Sequence, residues 1–425
     1  MLVEFTVANY RSFKEPQTLS LVATRQHGQD AHGLIHSSDP KVFPDLLRGA
    51  AIYGPNASGK SNLIQALGTL RYLVLESSKE SQAGESIEAD PFLLKEDSGF
   101  EPSEFEIHFV QEGIRYEYGV AATTKRVVEE WLIAYPPGRR VQKGQKWFHR
   151  YYEPEQEKTN WKFGEHFRGQ RKFLINTTRD NALFLSTAAQ LNNPQLMPVF
   201  HWFRDRLGSV ITPSGVEETY TGKRCENAED SERVIDFLRH ADPSIVDVKI
   251  EKQPVSPEVL PDKLPKKIRE KISKDHEGKF VKNINLIHKS RLTGAQMQLP
   301  LAKESAGTQQ LFRWAGPWLD ILDKGMTLFI DELDNSLHPL LVRHLVRLIQ
   351  SAETNPHGAQ IVFVTHDTGI LKDRNLLLRE QVWFTEKGEE GATELYPLTD
   401  YKPRKEEALE AGYLRGRYGA IPILD

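Results

Sequence analysis

Apolar positions along this chain change their spacing several times, and each change marks a different kind of element. Residues 1–13 alternate, with Leu2, Phe5 and Val7 apolar, and end in polar Asn9, Arg11 and Ser12, which predicts a strand. The stretch 45–53 closes in a short apolar strand that runs straight into the glycine-rich residues 54–61. Beyond them Leu63, Ile64, Leu67, Leu70 and Val74 recur at the interval of a helix with one buried face. From about 103 to 152 the interval falls to two. The segments FEIHFVQ, IRYEYGVAA, VVEEWLIAY and KWFHRYY predict antiparallel strands, joined by turns such as Glu112-Gly113 and Pro136-Pro137-Gly138. Residues 182–187, ALFLST, are expected to form another buried strand, and 194–208 a helix.

The stretch 249–291 differs from its surroundings. It holds twelve Lys/Arg and six Asp/Glu, a local balance of +6 in a chain whose net charge is −4. Pro254, Pro257, Pro261 and Pro265 punctuate its first half, which predicts a linker leading into a short basic helix at 266–274. After residue 300 regularity returns: a helix over 309–322, an apolar strand over 326–330, a helix over 339–352, an apolar strand over 360–365, and a mixed tail. Strands alternating with helices at both ends predict a parallel sheet, into which the middle inserts β-rich and helical segments.

Composition narrows the function classes. With 55 Lys+Arg against 59 Asp+Glu, a globally basic nucleic-acid wrapper is not expected. Hydrophobic residues at 39% supply an ordinary core. The single cysteine, Cys225, excludes an internal disulfide and a cysteine-based zinc site. No apolar run approaches the roughly 20 residues that span a bilayer. The N-terminus alternates like a strand and carries Glu4, unlike a signal peptide, so a cytoplasmic chain without membrane contact is expected.

The densest chemistry is Gly54-Pro-Asn56-Ala57-Ser58-Gly59-Lys60-Ser61, which fits G-x-x-x-x-G-K-[ST] after a strand and before a helix. Glycines let backbone N–H groups curl around phosphates, and the following helix adds its positive N-terminus. Lys60 can reach the β- and γ-phosphates, and the Ser61 hydroxyl can ligate Mg²⁺. A second signal is Thr327-Leu-Phe-Ile-Asp331-Glu332. An apolar strand ending in Asp331 sets a carboxylate at the sheet's C-terminal edge, and Glu332 can polarise an attacking water. Glu304-Ser305-Ala306-Gly307-Thr308 opens a helix with small and hydroxyl residues, a second phosphate cradle on a different lobe, suited to a nucleotide held by another subunit. The strand after 360 ends in Thr365-His366-Asp367, which puts His366 at the same sheet edge.

Phosphate loop, ESAGT, FIDE and THD in this order resemble the ABC-type ATPase head shared by RecF and SMC proteins. The chain is more closely similar to small bacterial AAA-family ATP-binding proteins of the RloA/AbiLi phage-defence kind. The closer likeness is carried by ANYRSF at 8–13, GPNASGKSN at 54–62, DELDNSLHP at 331–339 and YLRGRYGAIP at 413–422. The resemblance implies an α/β fold: a P-loop NTPase head with a mixed central sheet, an antiparallel β insertion and a helical signature lobe. It implies an ATP-binding lobe over 1–190, a helical insertion lobe over 191–310 ending in the signature, and the ATP-binding lobe continued over 311–425. Its cofactors would be ATP and Mg²⁺, with Gly54, Asn56, Ala57, Ser58, Gly59, Lys60, Ser61 and Asn62 around the phosphates. Ser61, Asp331 and Gln190 (Gln195 being the neighbouring alternative) would serve the metal. Glu332 would activate water, His366 sense the γ-phosphate, and Arg11 point at the nucleotide. Ser305 and Gly307 would clamp ATP across a head-to-tail homodimer, with His338 at the dimer-contacting position. ESAGT in place of LSGGQ argues against a transporter subunit.

The implied function is a Mg²⁺-dependent ATPase switch that controls a separate partner effector, a nuclease in a defence setting. One rival is a RecF-like repair ATPase that binds DNA, favoured by the basic run KLPKKIREKISK at 263–274, which a solvated helix face explains equally well. A second is a nuclease in its own right, but the 59 residues after His366 are too few for a Toprim domain. A third is a scaffold that binds ATP without needing turnover, from which the residues cannot separate a switch.

Overall fold

The computed structural model describes residues 1–24, 32–80, 82–94, 101–137, 143–212, 215–254, 265–275, 280–404 and 407–422. Contacts sort the chain into two units. The first comprises Met1–Thr212, Ile321–Asp334 and Arg343–Asp425, the second Pro213–Asp320 and Asn335–Val342.

The first unit contains a seven-stranded antiparallel sheet, in the order Lys158–Phe163, Gln145–Glu153, Val127–Tyr135, Ile114–Ala122, Ser103–Gln111, Leu2–Ala8, Gln17–Ser20. Period-two patterning builds it because alternate side chains leave opposite faces. Phe105, Ile107 and Phe109 are buried, while Glu104, Glu106 and His108 between them are more open. A second sheet has six strands, in the order Leu207–Ile211, Thr327–Ile330, Gln360–Val364, Gly49–Tyr53, Val382–Lys387, Thr393–Pro397. Its first five strands are parallel neighbours and the last is antiparallel. Gly49–Tyr53 and Gln360–Val364 are buried at every position, as parallel strands covered on both faces must be. The helix Lys60–Glu76 puts Leu63, Ile64, Leu67, Leu70 and Val74 into one continuous core with Phe5 and Ile107 of the antiparallel sheet and Ile52 and Val364 of the parallel one. The class is therefore the mixed α/β arrangement with an antiparallel insertion that the sequence implies.

Three local expectations are corrected. ALFLST is not a strand: residues Phe184–Gln190 form a helix. A short apolar run has no period that separates buried strand from buried helix. The decision is made by Glu130, 54 residues upstream, whose buried carboxylate accepts the Phe184 N–H at 2.7 Å and the Leu185 N–H at 2.9 Å and so caps the first turn. The helix expected over 194–208 is short. Met197–His201 widens into a π-helical turn at Trp202–Arg206, and Leu207 opens a strand that pairs in parallel with Thr327–Ile330. The proposed linker after 249 begins as a strand instead. Ile245–Pro254 pairs antiparallel with Phe280–Lys289, with Ile250 opposite Ile284. Pro257 and Pro261 lie outside the described residues.

The second unit contains that strand pair extended by Gln296–Pro300, and the helices Glu218–Arg224, Ala228–Arg239 and Lys266–Asp275. Asn227 caps Ala228–Arg239 by accepting the N–H groups of Glu229 and Asp230. Among the described residues no helix is long and apolar enough to cross a membrane.

Candidate functional site

The buried strand Gly49–Tyr53 delivers the phosphate loop to the C-terminal end of the parallel sheet, and the helix Lys60–Glu76 leaves from it. Glycine is required at both ends of the loop by close approach. A Cβ on Gly54 would lie 2.4 Å from the Thr385 carbonyl oxygen, and one on Gly59 only 2.1 Å from Thr393 Oγ1. Gly59 also sits at φ 105, and no side chain caps the helix it precedes. The first-turn N–H groups are thus left for an anion, which is how a helix start receives phosphate.

Lys60 is buried, and its ammonium donates to the carbonyls of Gly54 at 2.8 Å and Pro55 at 2.9 Å. Burial lowers its pKa, opposed by the charges of Asp331, Glu332 and Asp334. Those acids lie within electrostatic reach because Thr327–Ile330 pairs with Gln360–Val364, which in turn pairs with Gly49–Tyr53. Three neighbouring parallel strands therefore end in the phosphate loop, in Asp331-Glu332 and in Thr365-His366. Thr365 N–H donates to the Ile52 carbonyl at 3.3 Å, and Leu333 N–H to that of Val364 at 3.0 Å. His366 N–H lies 3.3 Å from both carboxylate oxygens of Asp334. Glu332 is exposed at φ 54, a left-handed conformation that costs a non-glycine residue on the order of 1–2 kcal/mol.

Asp331 Oδ1 is buried without a hydrogen-bond partner, an oxygen aimed where a cation would satisfy it. A hydroxyl such as that of Ser61 would add a second hard oxygen of the kind Mg²⁺ takes alongside phosphate oxygens and water. Among the described residues no group of three or more His, Cys, Asp or Glu could hold a metal.

The loop is also latched by residues that sequence reasoning missed. Thr393 Oγ1 lies 2.8 Å from Ser12 Oγ and donates to the Ser58 carbonyl at 2.9 Å. Ser58 Oγ lies 2.6 Å from Thr385 Oγ1, and Asn62 donates to Ser12 Oγ at 2.8 Å. Ser12 stands within ANYRSF, which was legible as a motif; Thr385 and Thr393 carry no local signal. Asn56 and Ala57 form the exposed apex of the loop.

Other expected residues are held differently. Arg11 is exposed, donates from Nε to Asp90 at 3.0 Å, and bonds Gln65 on the outer face of the helix. Gln190, expected to follow a strand, is instead the exposed last residue of the helix Phe184–Gln190. Gln195 accepts the Arg168 N–H and donates to the His166 carbonyl, a loop brace. In the second unit, Ser305 Oγ accepts the Thr308 N–H at 3.1 Å and caps the helix Ala306–Lys324. A Cβ on Gly307 would lie 3.3 Å from the Ser336 carbonyl, and His338 Nδ1 accepts the Leu340 N–H at 3.2 Å.

The tail covers the end of the sheet. Tyr418 is fully buried, its ring stacked near Phe384, while Tyr413 meets Tyr53 edge-on at 5.6 Å. Tyr53 donates to the Asp367 carbonyl at 3.1 Å, and Thr368 to Glu410 at 3.2 Å. GRYGAIP thus packs through Tyr418 against Phe384 of the strand Val382–Lys387, and Tyr413 just before it meets Tyr53, the residue that precedes the phosphate loop.

Residues 50–372 match the family model described as "AAA domain, putative AbiEii toxin, Type IV TA system". The chain belongs to this family. As a member of this AAA-domain family, with phosphate loop and acidic strand end side by side, it is a P-loop protein of the ATPase type. Comparison with curated proteins returns no match. Among solved structures it is similar to the SMC head domain from Thermotoga maritima, at 14% identity over 93% of this chain and 98% of that one, TM-score 0.40. It is similar to an Smc head bound to the C-terminal winged-helix domain of ScpA, at 11% identity over 93% and 96%, TM-score 0.38. It is also similar to the recombination mediator RecF with ATP, at 15% identity over 86% and 93%, TM-score 0.28.

Proposed function

We propose that this AAA-domain chain is a Mg²⁺-dependent ATPase switch, in the cytoplasm, that pairs head-to-tail with a second copy around ATP and so controls a separate effector, in antiphage defence. The observation that carries the reading is the meeting of Lys60, Asp331-Glu332 and Thr365-His366 at the ends of three adjacent strands, while the Ser305 helix start belongs to the other unit.

In this reading the loop N–H groups and the Lys60–Glu76 helix start bind the phosphates, and Lys60 leaves the Gly54 and Pro55 carbonyls to pair with the β- and γ-phosphates. Ser61 and Asp331 would hold Mg²⁺, which when bound neutralises charge building on the transferred group. Glu332, displaced from the strand by its left-handed backbone, orients and deprotonates water. His366, tethered through its N–H to Asp334, stands by the γ-phosphate. Ser305 and Gly307 of one copy complete the site of the other, so ATP joins the pair and hydrolysis releases it, an interface ordered by γ-phosphate contacts.

Glu332→Gln tests this: calorimetry should show ATP binding retained, turnover should stop, and sedimentation with ATP should show accumulated dimers. Rapid hydrolysis by that variant would remove Glu332 from the role. A RecF-like DNA-binding reading is favoured by one observation, the exposed Lys266, Lys267, Lys271 and Lys274 on the helix Lys266–Asp275. Steeply salt-dependent duplex binding would support it, and its absence at moderate salt would exclude it.

A further inference from the structure

The signature segment is anchored from outside by a histidine that no motif announces. Glu304, immediately before Ser305, has a side chain only 7% exposed, and a carboxylate so buried needs a partner. The His288 ring supplies it, with Nε2 2.7 Å from Glu304 Oε1. The ring is itself held from behind: Nδ1 lies 2.8 Å from Ser244 Oγ and 3.6 Å from Asp242 Oδ2. His288 belongs to the strand Phe280–Lys289, the middle strand of the second unit's sheet, between Ile245–Pro254 and Gln296–Pro300. Glu304 is fixed at its backbone too. Its carbonyl accepts from Gln309 Nε2 at 2.8 Å, and its N–H donates to the Leu301 carbonyl at 3.0 Å. The residue after this pinned position is the serine that caps the helix Ala306–Lys324.

We propose that His288 is a positioning residue for the nucleotide clamp, setting Ser305 through Glu304 so that the helix start meets a second copy's ATP in the right place. The proposal rests on the reading of Ser305 as that clamp. A hydrogen bond between ionisable groups in a buried pocket holds direction as well as distance. A clamp that loses it must be ordered at the moment of pairing, and the cost falls on association rather than on ATP capture at Lys60. The same contact ties the signature to the three-stranded sheet, so whatever displaces that sheet acts on the clamp.

The test compares His288→Ala, His288→Gln and Ser305→Ala in the full chain, each with the Glu332→Gln change to block turnover. Calorimetry reads ATP binding, sedimentation reads ATP-driven association, and a thermal melt reads folding. Gln keeps an N–H donor that can reach Glu304; Ala does not. The expected result for His288→Ala is unchanged ATP affinity with association weakened about tenfold, and for His288→Gln recovery of most of that loss. His288→Ala associating like the parent, while Ser305→Ala does not associate, overturns the proposal and leaves the clamp reading intact. Equal losses in Ala and Gln together with a lowered melting temperature also overturn it, because that pattern marks packing alone. Ser305→Ala associating like the parent removes the clamp itself, and this proposal with it.

Discussion

Gly59→Ala isolates what the geometry of the phosphate loop contributes to binding. The position sits at φ 105, where an alanine costs on the order of 1–2 kcal/mol. Its Cβ would stand 2.1 Å from Thr393 Oγ1, 2.8 Å from Thr393 Cγ2 and 2.9 Å from Ser12 Oγ, and no real contact is that short. Relief requires Thr393 to move, which breaks its bonds to Ser12 and Ser58, each worth about 1 kcal/mol. The sum, about 3–4 kcal/mol against the loop's binding shape, corresponds to ATP binding roughly 100- to 1,000-fold weaker. Gly59→Ala/Thr393→Ala removes both threonine contacts but not the backbone strain. Because it forgoes the same two hydrogen bonds, it should bind ATP within about threefold of the single variant. Isothermal calorimetry with ATP and Mg²⁺ measures both, alongside a thermal melt. Binding by Gly59→Ala within threefold of the parent (a difference of about 0.65 kcal/mol) would refute the reasoning.

Other predictions address the scaffold. Glu130→Ala strands the buried Arg150, whose Nε lies 2.9 Å from Glu130, and deprives the Phe184 and Leu185 N–H groups and the Tyr118 hydroxyl of their acceptor. A loss of about 3–5 kcal/mol is expected, lowering the melting temperature by roughly 6–20 °C; a change within 2 °C would contradict the cap. Burial pushes the His108 imidazole down, but the Glu106 and Glu4 carboxylates outweigh it and raise its pKa from 6.5 to about 9. Since the folded value is the higher, this stabilisation is complete below pH 6.5 and is lost as pH rises through 9. Urea titrations should show the parent losing up to about 3 kcal/mol more than His108→Gln over that window, and parallel profiles would refute the pairing. Lys60→Ala should abolish ATP binding in calorimetry with little change in melting temperature, and parent-like affinity would remove Lys60 from the phosphates.

What was legible in the sequence was chemistry carried by neighbours in the chain. The loop 54–61 needs a strand before and a helix after, and the acids at 331 and 332 need an apolar strand; both requirements are local. The antiparallel sheet was legible for the same reason, since alternation is written residue by residue. Illegible features depend on partners far away. ALFLST is a helix because Glu130 caps it, and Gln190 moved with it from a sheet edge to a helix end. Ile245–Pro254 pairs with a strand beyond a proline-rich interruption. Thr385 and Thr393 grip the loop from more than 300 residues downstream. The tail at 413–422 covers the sheet through Tyr413 and Tyr418, whose packing no spacing reveals.

The claim that each ATP is shared between two chains is tested most directly by mixing two dead variants. Lys60→Ala cannot hold the phosphates, and Ser305→Arg cannot clamp its partner's. A mixed pair, however, unites the intact lysine of one chain with the intact serine of the other. The account predicts no ATPase activity from either alone and, on mixing, recovery of up to about a quarter of the parent rate, since about half of the pairs are mixed and each carries one whole site. A mixture as inactive as its parts, or full activity from Ser305→Arg alone, would contradict it.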